Sequence, residues 1–407
     1  MRAHVLRAML VAALLPASAG AQAVSITEAG ALGRLAADSP RLRAIRSAIE
    51  IARAEVLHVG RWPNPRVAID REAVAGVSET MTTVLQPLPV TGRRGFERDS
   101  ASALVEASAR RADEAVRRAR ADVRLAYADL VMAQTREREF TRSRNRLEEL
   151  AAILEKREAA GDAAGFDRLR SQREVIDVEA DRMGAVGDRS RAQAVLAGFF
   201  EAGVDPSLLV AEEREIPLRD VPPVDVLVEE ALRRRGDVLA LRQELESARL
   251  ALRAADRRRI PEPEILAGTK SSSAAGGDVG SVIGVQAVIP LFDRGRPERA
   301  LAQARAAQAQ ARLDALQITI GADIAAWRAA ALDRRHAAAR YRASALTLAS
   351  EVERIAQVSY DAGDRSILEL LDAYRTSASA RVRQAALDAA ARQAEIELEF
   401  ASGWEIQ

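Results

Sequence analysis

At residues 61–65 the chain reads RWPNP, and at residues 259–263 it reads RIPEP. Two further pairs of segments follow in the same order and at a similar offset. They are PVTGR at 89–93 with PLFDRG at 290–295, and AGD at 160–162 with AGD at 362–364. Three matched pairs in one order indicate that a single structural unit occurs twice along the chain.

Each copy predicts the same succession of elements. A long helical pattern, at 27–59 and again at 224–258, ends at the Pro-x-Pro because proline removes a backbone donor and disfavours helix before it. Two stretches with alternating apolar residues follow in each copy and predict a β-hairpin. They lie at 66–72 and 78–86, and at 264–270 and 279–289.

The remainder of each copy predicts a long helical hairpin, at 92–198 and 295–402. Pro89 with Gly92, and Pro290 with Gly295, mark the corners between strand and helix. From Val105 to Leu154 apolar residues alternate spacings of four and three, as in a coiled coil. A helix from Gly92 to Gly161, the glycine that marks the tip of the hairpin, would be about 100 Å long, and this length favours an elongated architecture.

Composition limits the class of protein. The chain has 407 residues, with 60 basic and 59 acidic side chains, and this balance argues against a nucleic-acid binder. Residues 1–23 predict a signal peptide, with a basic start, a short apolar core and small residues before a cleavage site after Ala23. Without cysteine, an exported chain would owe its stability to packing rather than to disulfides.

Signals for catalysis or resident metal are weak. His58 and His336, without any cysteine, do not form a transition-metal site. The segment GRRG at 92–95 could hold a phosphate, but a strand-to-helix corner explains it more simply. The sequence therefore predicts no enzyme, no cofactor and no bound metal.

The duplicated plan, QPLPVTGRR at 86–94 and YDAGDRSILELLD at 360–372 together resemble the TolC family of outer-membrane efflux proteins. The absence of a lipid-bearing cysteine and the Pro-x-Pro-x-x-Gly-Arg-Arg turn are most similar to its heavy-metal branch, the CzcC-like subunits. The resemblance implies a mainly α fold with a small β part, in two tandem repeats at 24–216 and 217–407. Strands at about 65–90 and 264–290 from three chains would form a twelve-stranded β-barrel, continued by an α-helical barrel.

The function implied by the resemblance is a homotrimeric, passive exit duct in the outer membrane of a Gram-negative bacterium, in contact with lipid there and with most of its mass in the periplasm. It would meet a periplasmic membrane-fusion adaptor and an inner-membrane transporter of the resistance-nodulation-division (RND) type. The expected cargo is heavy-metal cations, with drugs or secreted polypeptide (type I secretion) as alternatives. A periplasmic coiled-coil adaptor or spacer would explain the hairpins, but not two β-hairpins at matching positions.

The resemblance also assigns residues to roles. The predicted gate latch is Asp167, Tyr360 and Arg365, and the predicted acidic constriction is Glu369 and Asp372, which are spaced to share a helix face. The predicted tip turns and adaptor-docking residues are Gly161, Asp162, Gly363, Asp364 and Ser366. The sequence departs from the family pattern at Leu150, where a polar partner of Tyr360 would stand, and has few aromatic residues near the strands, namely Trp62 and Phe292.

Overall fold

The computed structural model describes residues 24–35, 39–160, 165–201, 203–213, 220–274, 277–292 and 294–404. The predicted signal peptide, residues 1–23, lies outside the described residues. The predicted boundary between the repeats, at 216 and 217, also lies outside them.

The first repeat follows the predicted order of elements. It contains β1 (Val24–Ile26), α1 (Glu28–Arg34), α2 (Pro40–Gly60), β2 (Arg66–Val74), β3 (Val77–Pro87), α3 (Arg93–Ala159) and α4 (Gly165–Ala197). A single turn of 3-10 helix, Pro206–Leu208, and β4 (Leu209–Ala211) complete it. α3 has 67 residues and is therefore about 100 Å long.

The second repeat has the same plan. Its elements are α5 (Val224–Arg234), α6 (Gly236–Arg257), β5 (Pro263–Ser272), β6 (Asp278–Ala287), α7 (Arg296–Tyr341), α8 (Thr347–Asp361) and α9 (Ile367–Ser402). A π-helical turn, Arg342–Leu346, joins α7 to α8 without a break. The prediction of a mainly helical chain with two β-hairpins and two long helical hairpins is confirmed.

The helices predicted at 27–59 and 224–258 are each divided in two, so their prediction as single helices is wrong. In the first, the Ser39 side chain caps the backbone N–H of Leu42 and Pro40 begins α2, a combination that favours a new helix start. In the second, Arg235 has an extended backbone (φ −62°, ψ 127°). Its guanidinium binds Asp237 and the backbone carbonyl of Ala401, and these bonds hold α5 and α6 against α9.

The linker predicted as irregular at 198–223 contains a strand. β4 pairs in parallel with β1, placing Val24 opposite Leu209 and Ile26 opposite Ala211. The Tyr127 hydroxyl of α3 donates to the Glu212 carbonyl (2.6 Å) and lies 3.1 Å from the Ile26 carbonyl, which holds this sheet on the long helix. This small sheet joins the two ends of the first repeat.

The larger sheet has the order β2-β3-β5-β6, with all neighbours antiparallel. β2 and β3 turn through Ala75 and Gly76, both with positive φ (49° and 84°), as a type I′ turn requires. β3 then pairs with β5, so that Val84 lies opposite Ala267 and the two repeats share one sheet.

Small residues and leucines form the core between the long helices. The seam predicted from 105 to 154 is buried at Ala112, Ala119, Val123, Leu130 and Leu154, among others. α3 packs along α2, α4, α6 and α9. Three apolar clusters lie between the helices: one in the first repeat around Leu130 and Leu196, one in the second repeat around Ile320 and Leu398, and one between the two hairpins around Leu150 and Leu370.

A charged group fixes α1 to the long helices. Glu28 pairs with Arg124 of α3 (2.6 Å) and with Arg392 of α9 (2.8 Å). Burial opposes ionisation of this carboxyl, but the two guanidinium groups outweigh it and lower the pKa of Glu28 below its usual 4.5. Glu399 shares Arg124 and is almost fully buried, and burial raises its pKa.

Candidate functional site

The tip of the second helical hairpin is a turn built on Gly363. Its φ of +83° is a conformation that L side chains rarely adopt, and its N–H donates to the Tyr360 carbonyl at 3.0 Å. The N–H of Asp364 donates to the Ser359 carbonyl at 2.9 Å, which closes the turn. Ser366 then caps α9. The matching tip residues Gly161 and Asp162 lie outside the described residues.

The structure places the residues predicted to form the latch (Asp167, Tyr360 and Arg365) at the same end of the molecule. Tyr360 is partly buried, with the Arg157 guanidinium 5.6 Å from its ring centre. Burial raises the pKa of its hydroxyl, and the nearby charge of Asp167 adds to this effect. Arg365 has a different partner in this chain, because its guanidinium donates to Glu369 at 2.6 Å.

The predicted acidic pair, Glu369 and Asp372, lies on the first turns of α9 and is exposed. The Glu369 carboxylate accepts from Arg365 and from the backbone N–H of Ser366, as part of a capping box. The bond with Arg365 lowers the pKa of Glu369. Asp372 pairs with Arg375 at 3.2 Å. In one chain, each carboxylate therefore has a basic partner close to it in sequence.

Leu150 belongs to the apolar cluster that joins the two hairpins near the tips. It is buried with Leu147 and Leu154 of α3 against Ile367 and Leu370 of α9, and Tyr360 packs on the same cluster. At this position the chain therefore makes an apolar contact between hairpins where the family pattern has a polar one.

A buried polar cluster joins α3 to α8 and α9, and sequence reasoning missed it. Glu353 is 7% exposed, pairs with Arg146 of α3, and accepts from Ser377 and from Arg381 of α9 (2.9 Å). Glu139 of α3 is equally buried and lies 4.0 Å from Arg381.

Charges of both signs alternate along residues 136–158, and this pattern predicts a solvated helix face. For Glu139 and Ser143 this prediction is wrong, since both are buried. The sequence contains a signal for these buried polar residues, because Phe140 is the one apolar residue between Ala133 and Leu147 and polar residues occupy the rest of that part of the seam.

The two strand-to-helix corners have related backbones and different surroundings. Gly92 and Gly295 cap α3 and α7 with φ of 72° and 73°, directly after the segments containing Pro89 and Pro290. A Cβ on Gly295 would lie 2.6 Å from the Ala255 carbonyl oxygen, whereas one on Gly92 would meet open space. At the first corner, Thr91 and Arg93 both bind Glu262 (2.8 and 3.0 Å) and thereby join the two repeats.

The two faces of the four-stranded sheet differ in charge. Side chains alternate between faces along a strand, and directly paired residues share a face. The face that contains Val67, Val84, Ala267 and Ile283 in one row has a single charged residue in the paired segments, Arg71. The opposite face has seven, namely Arg66, Asp70, Glu72, Glu79, Glu264, Lys270 and Asp278.

Ion pairs organise the charged face. Lys270 pairs with Glu79 across β3 and β5 (2.6 Å), and Arg66 and Gln286 both bind Glu264. The face with Val67, Val84, Ala267 and Ile283 is called the uncharged face below, because Arg71 is its single charged residue in the paired segments. On this face, Ile69, Ile283 and Val285 are 70%, 82% and 75% exposed.

The described residues contain neither a membrane-spanning helix nor a cluster of metal-binding side chains. Within those ranges, no helix is both long and apolar enough to cross a membrane. In the same part of the chain, no group of three or more histidine, aspartate or glutamate side chains is arranged to hold a metal ion.

Known proteins resemble this chain along both repeats. Residues 227–404 match the family described as outer membrane efflux protein. The cobalt-zinc-cadmium resistance protein CzcC of Cupriavidus metallidurans is 23% identical over 363 residues, which cover 88% of this chain and 85% of that protein.

Two solved structures share the fold. A membrane protein from Pseudomonas aeruginosa superimposes with a TM-score of 0.78 at 22% identity, over 92% of this chain and 93% of that one. The Campylobacter jejuni CmeC outer membrane channel superimposes with a TM-score of 0.77 at 14% identity, over 92% of this chain and 85% of that one. The second repeat therefore matches the outer membrane efflux protein family, a relative aligns along both repeats, and the chain shares the fold of these two solved structures.

Proposed function

We propose that the chain is one subunit of a homotrimeric exit duct that crosses the outer membrane and continues through the periplasm. The observation that carries the proposal is the four-stranded sheet, which has one uncharged face and two open edges and is continued by helical hairpins about 100 Å long. Lipid would cover the uncharged face, and the charged face would line water.

The open edges favour assembly into a ring. In the described part of the chain, β2 and β6 each have one neighbour, so both leave a row of backbone groups unpaired. Such groups are costly in hydrocarbon. Pairing β2 of one copy with β6 of the next is a head-to-tail contact that closes when the rotation allows it. Three copies would give twelve strands, an even number as in bacterial outer-membrane barrels.

The helical ends opposite the sheet would form the gate. Tyr360 lies near Asp167 where the two hairpins of a chain come together, and the Gly363 turn presents Asp364, Arg365 and Ser366 beyond them. An exposed ion pair contributes about 0–1 kcal/mol, which is weak enough to be exchanged for contacts with a docking partner. We assign these residues, with Gly161 and Asp162, to the latch and to adaptor docking.

Heavy-metal cations are the proposed cargo, delivered by an inner-membrane RND pump through a periplasmic adaptor. The relative that aligns with 88% of the chain is a cobalt-zinc-cadmium resistance protein, and this supports the proposal. Glu369 and Asp372 from three copies would place six carboxylates around the axis, an arrangement that attracts cations. The chain would provide passage without catalysis, and selection among metals would rest with the pump.

Cysteine pairs provide a sharp test of the ring. The chain has no cysteine, and β3 and β5 separate β2 from β6 by about 14 Å within one copy, too far for a disulfide. Ile69→Cys on β2 would be combined in turn with a cysteine at 279, 281, 283, 285 or 287 on β6, the positions that share its face. At least one combination is expected to give a trimer of linked chains in outer-membrane fractions, while single-cysteine variants stay unlinked.

The same preparation separates the proposal from a periplasmic spacer. The duct predicts outer-membrane fractionation and discrete pores in planar bilayers. A monomer in the soluble periplasmic fraction, with no linkage by any of the five combinations, would contradict it. Cargo would be assigned by deleting the gene and comparing sensitivity to zinc, cobalt, cadmium and copper with sensitivity to a panel of antibiotics.

A further inference from the structure

A basic pocket lies at the strand-to-helix corner of the first repeat. It has a volume of about 310 Å³ and is lined by His58, Arg61, Trp62, Pro63, Asn64 and Arg94. The Arg94 guanidinium reaches across it to donate to the Arg61 carbonyl at 2.6 Å, which leaves the Arg94 Nε buried without a hydrogen bond. Among the described residues, neither Arg61 nor Arg94 has a carboxylate as ion-pair partner.

The second repeat shows what is unusual about this corner. There Arg299 pairs with Asp256 (3.1 Å) and Arg258 with Glu298 (2.8 Å), so two of the basic residues have local carboxylate partners. Aligning RWPNP with RIPEP places His58 at the position of Asp256 and Asn64 at that of Glu262. Aligning Gly92 with Gly295 places Gly95 at the position of Glu298. Three acidic positions of the second corner are therefore non-acidic in the first.

Glu262, the nearest carboxylate from the other repeat, is already engaged. It accepts from the Thr91 hydroxyl and from the Arg93 guanidinium, and Arg93 also binds Glu97. The field of Arg94 reaches Glu262, but the pocket itself has two guanidinium groups and no acidic lining residue. The pocket is thus suited to an anion from outside the chain.

The position of the pocket indicates which anion. Gln86 is paired with Ile265 and belongs to the uncharged face of the sheet, and its side chain donates to the carbonyl of Pro63 in the pocket wall. The pocket therefore borders the helix-side end of the face assigned to lipid. Trp62 in its wall is 64% exposed, and exposed tryptophan is favoured at the boundary between lipid and water.

We propose that this pocket binds the phosphate group of an anionic phospholipid at the periplasmic surface of the outer membrane. Arg61 and Arg94 supply the charge, the N–H groups of His58 and Asn64 supply further donors, and the Trp62 ring contacts the glycerol and the start of the acyl chains. The inference rests on the proposed membrane location. It adds one specific lipid site for each copy of the chain, in the first repeat only.

The test uses the full chain in detergent, titrated with phosphatidylglycerol and followed by native mass spectrometry. Arg61→Gln is the main variant, because it keeps the backbone carbonyl that Arg94 binds and removes only an exposed side chain. Loss of one cation is expected to weaken phosphatidylglycerol binding about fivefold. Arg259→Gln, the equivalent change in the second repeat, should bind like the wild type. Arg94→Lys is a second variant that retains the charge and should bind within about twofold of wild type.

Three results would each overturn the proposal. The first is equal affinity of the wild type, Arg61→Gln and Arg259→Gln for phosphatidylglycerol, and the second is equal affinity of the wild type for phosphatidylglycerol and phosphatidylcholine. The third is release of the lipid by inorganic phosphate, which would assign the pocket to free phosphate. Fractionation and cysteine linkage are measured on the same variants. Normal outer-membrane trimers without lipid selectivity would refute this inference alone, and absence of trimers would refute the proposed function.

Discussion

Arg365 binds Glu369 across one turn at the start of α9, so the basic residue of the proposed latch neutralises one carboxylate of the proposed constriction. The Arg365 Nη1 and Glu369 Oε1 atoms are 2.6 Å apart, and the two side chains are about half exposed (56% and 47%). Movement of Arg365 toward Asp167 would therefore release a negative charge at the same time as it forms the latch. In the proposed mechanism, closing the gate and charging the constriction would be linked through the Arg365 side chain.

Arg365→Ser is expected to raise the conductance of the isolated channel in planar bilayers, because it removes the cation that the latch requires. It should also increase preference for cations over anions, since Glu369 loses its neutralising partner. Asp167→Ala should raise conductance without the change in selectivity. Single-channel recordings and reversal potentials under a salt gradient measure the two effects.

Arg354→Ser is the matched control for these recordings. Arg354 is an exposed arginine of α8 that pairs with Glu351 one turn away, and it lies outside the latch. Conductance like that of the wild type is expected. The latch assignment fails if both Arg365→Ser and Asp167→Ala conduct like the wild type.

Adjacent residues on β6 test the two faces of the sheet. Val285 lies on the uncharged face and Gln286 on the charged face, where it binds Glu264. Val285→Lys is expected to reduce the amount of assembled protein in the outer membrane severely, because a charge facing lipid costs about 2–4 kcal/mol near the membrane centre. Gln286→Lys should assemble normally. Immunoblots of unboiled outer-membrane fractions measure assembly, and equal amounts of both variants would invalidate the assignment of the faces.

The two corner glycines provide a matched pair for stability. Gly295→Ala is expected to lower the free energy of unfolding by about 3 kcal/mol, because it adds a contact with the Ala255 carbonyl to the cost of positive φ. Gly92→Ala incurs only the backbone cost, about 1 kcal/mol, since its Cβ meets open space. Thermal unfolding followed by circular dichroism compares them. Equal losses would show that the close approach at Gly295 is relieved by relaxation.

The contribution of Glu28 to the free energy of unfolding is expected to depend on pH. Its folded pKa is lowered from 4.5, so the unfolded chain binds the proton more readily and ionised Glu28 stabilises the fold above pH 4.5. Glu28→Gln should cost about 2 kcal/mol at pH 7, and the difference from wild type should shrink as the pH falls below 4.5. Glu50→Gln, at an exposed pair with Arg53, should change little at either pH. A Glu28→Gln difference that stays constant down to pH 3 would contradict the role of its charge.

Local signals were sufficient for most of the fold. Pro-x-Pro and alternating apolar residues located four strands to within about two residues, and the spacing of four and three located the buried seam of α3. β1 and β4 were missed because each has three residues and their pairing joins positions 24 and 209, so neither has a periodic pattern of its own. The division of α2 from α1 at Ser39 and Pro40 was visible in the sequence as a cap and a helix start.

The candidate site was less predictable than the fold. The family resemblance assigned Tyr360, Asp167 and Arg365 to one latch with Asp167 as the partner of Arg365, whereas within one chain Arg365 binds Glu369. The cluster of Glu139, Glu353 and Arg381 depends on contacts between helices far apart in sequence. Charged residues there have the same local pattern as a solvated face, and only the tertiary packing determines which of them are buried.

The π-helical turn at Arg342–Leu346 has a consequence for the duplication itself. A π turn inserts one residue into an α-helix and rotates everything after it by about 100°, with almost no change in length. α3 has 67 residues, and α7, the π turn and α8 together reach from Arg296 to Asp361, so the two arms remain nearly equal in reach. Beyond this turn, however, equivalent positions in the two arms point in different directions. The two arms therefore match in length, but beyond the π turn their equivalent side chains no longer share a direction around the helix axis. A partner at the tips would meet two unlike surfaces in each copy.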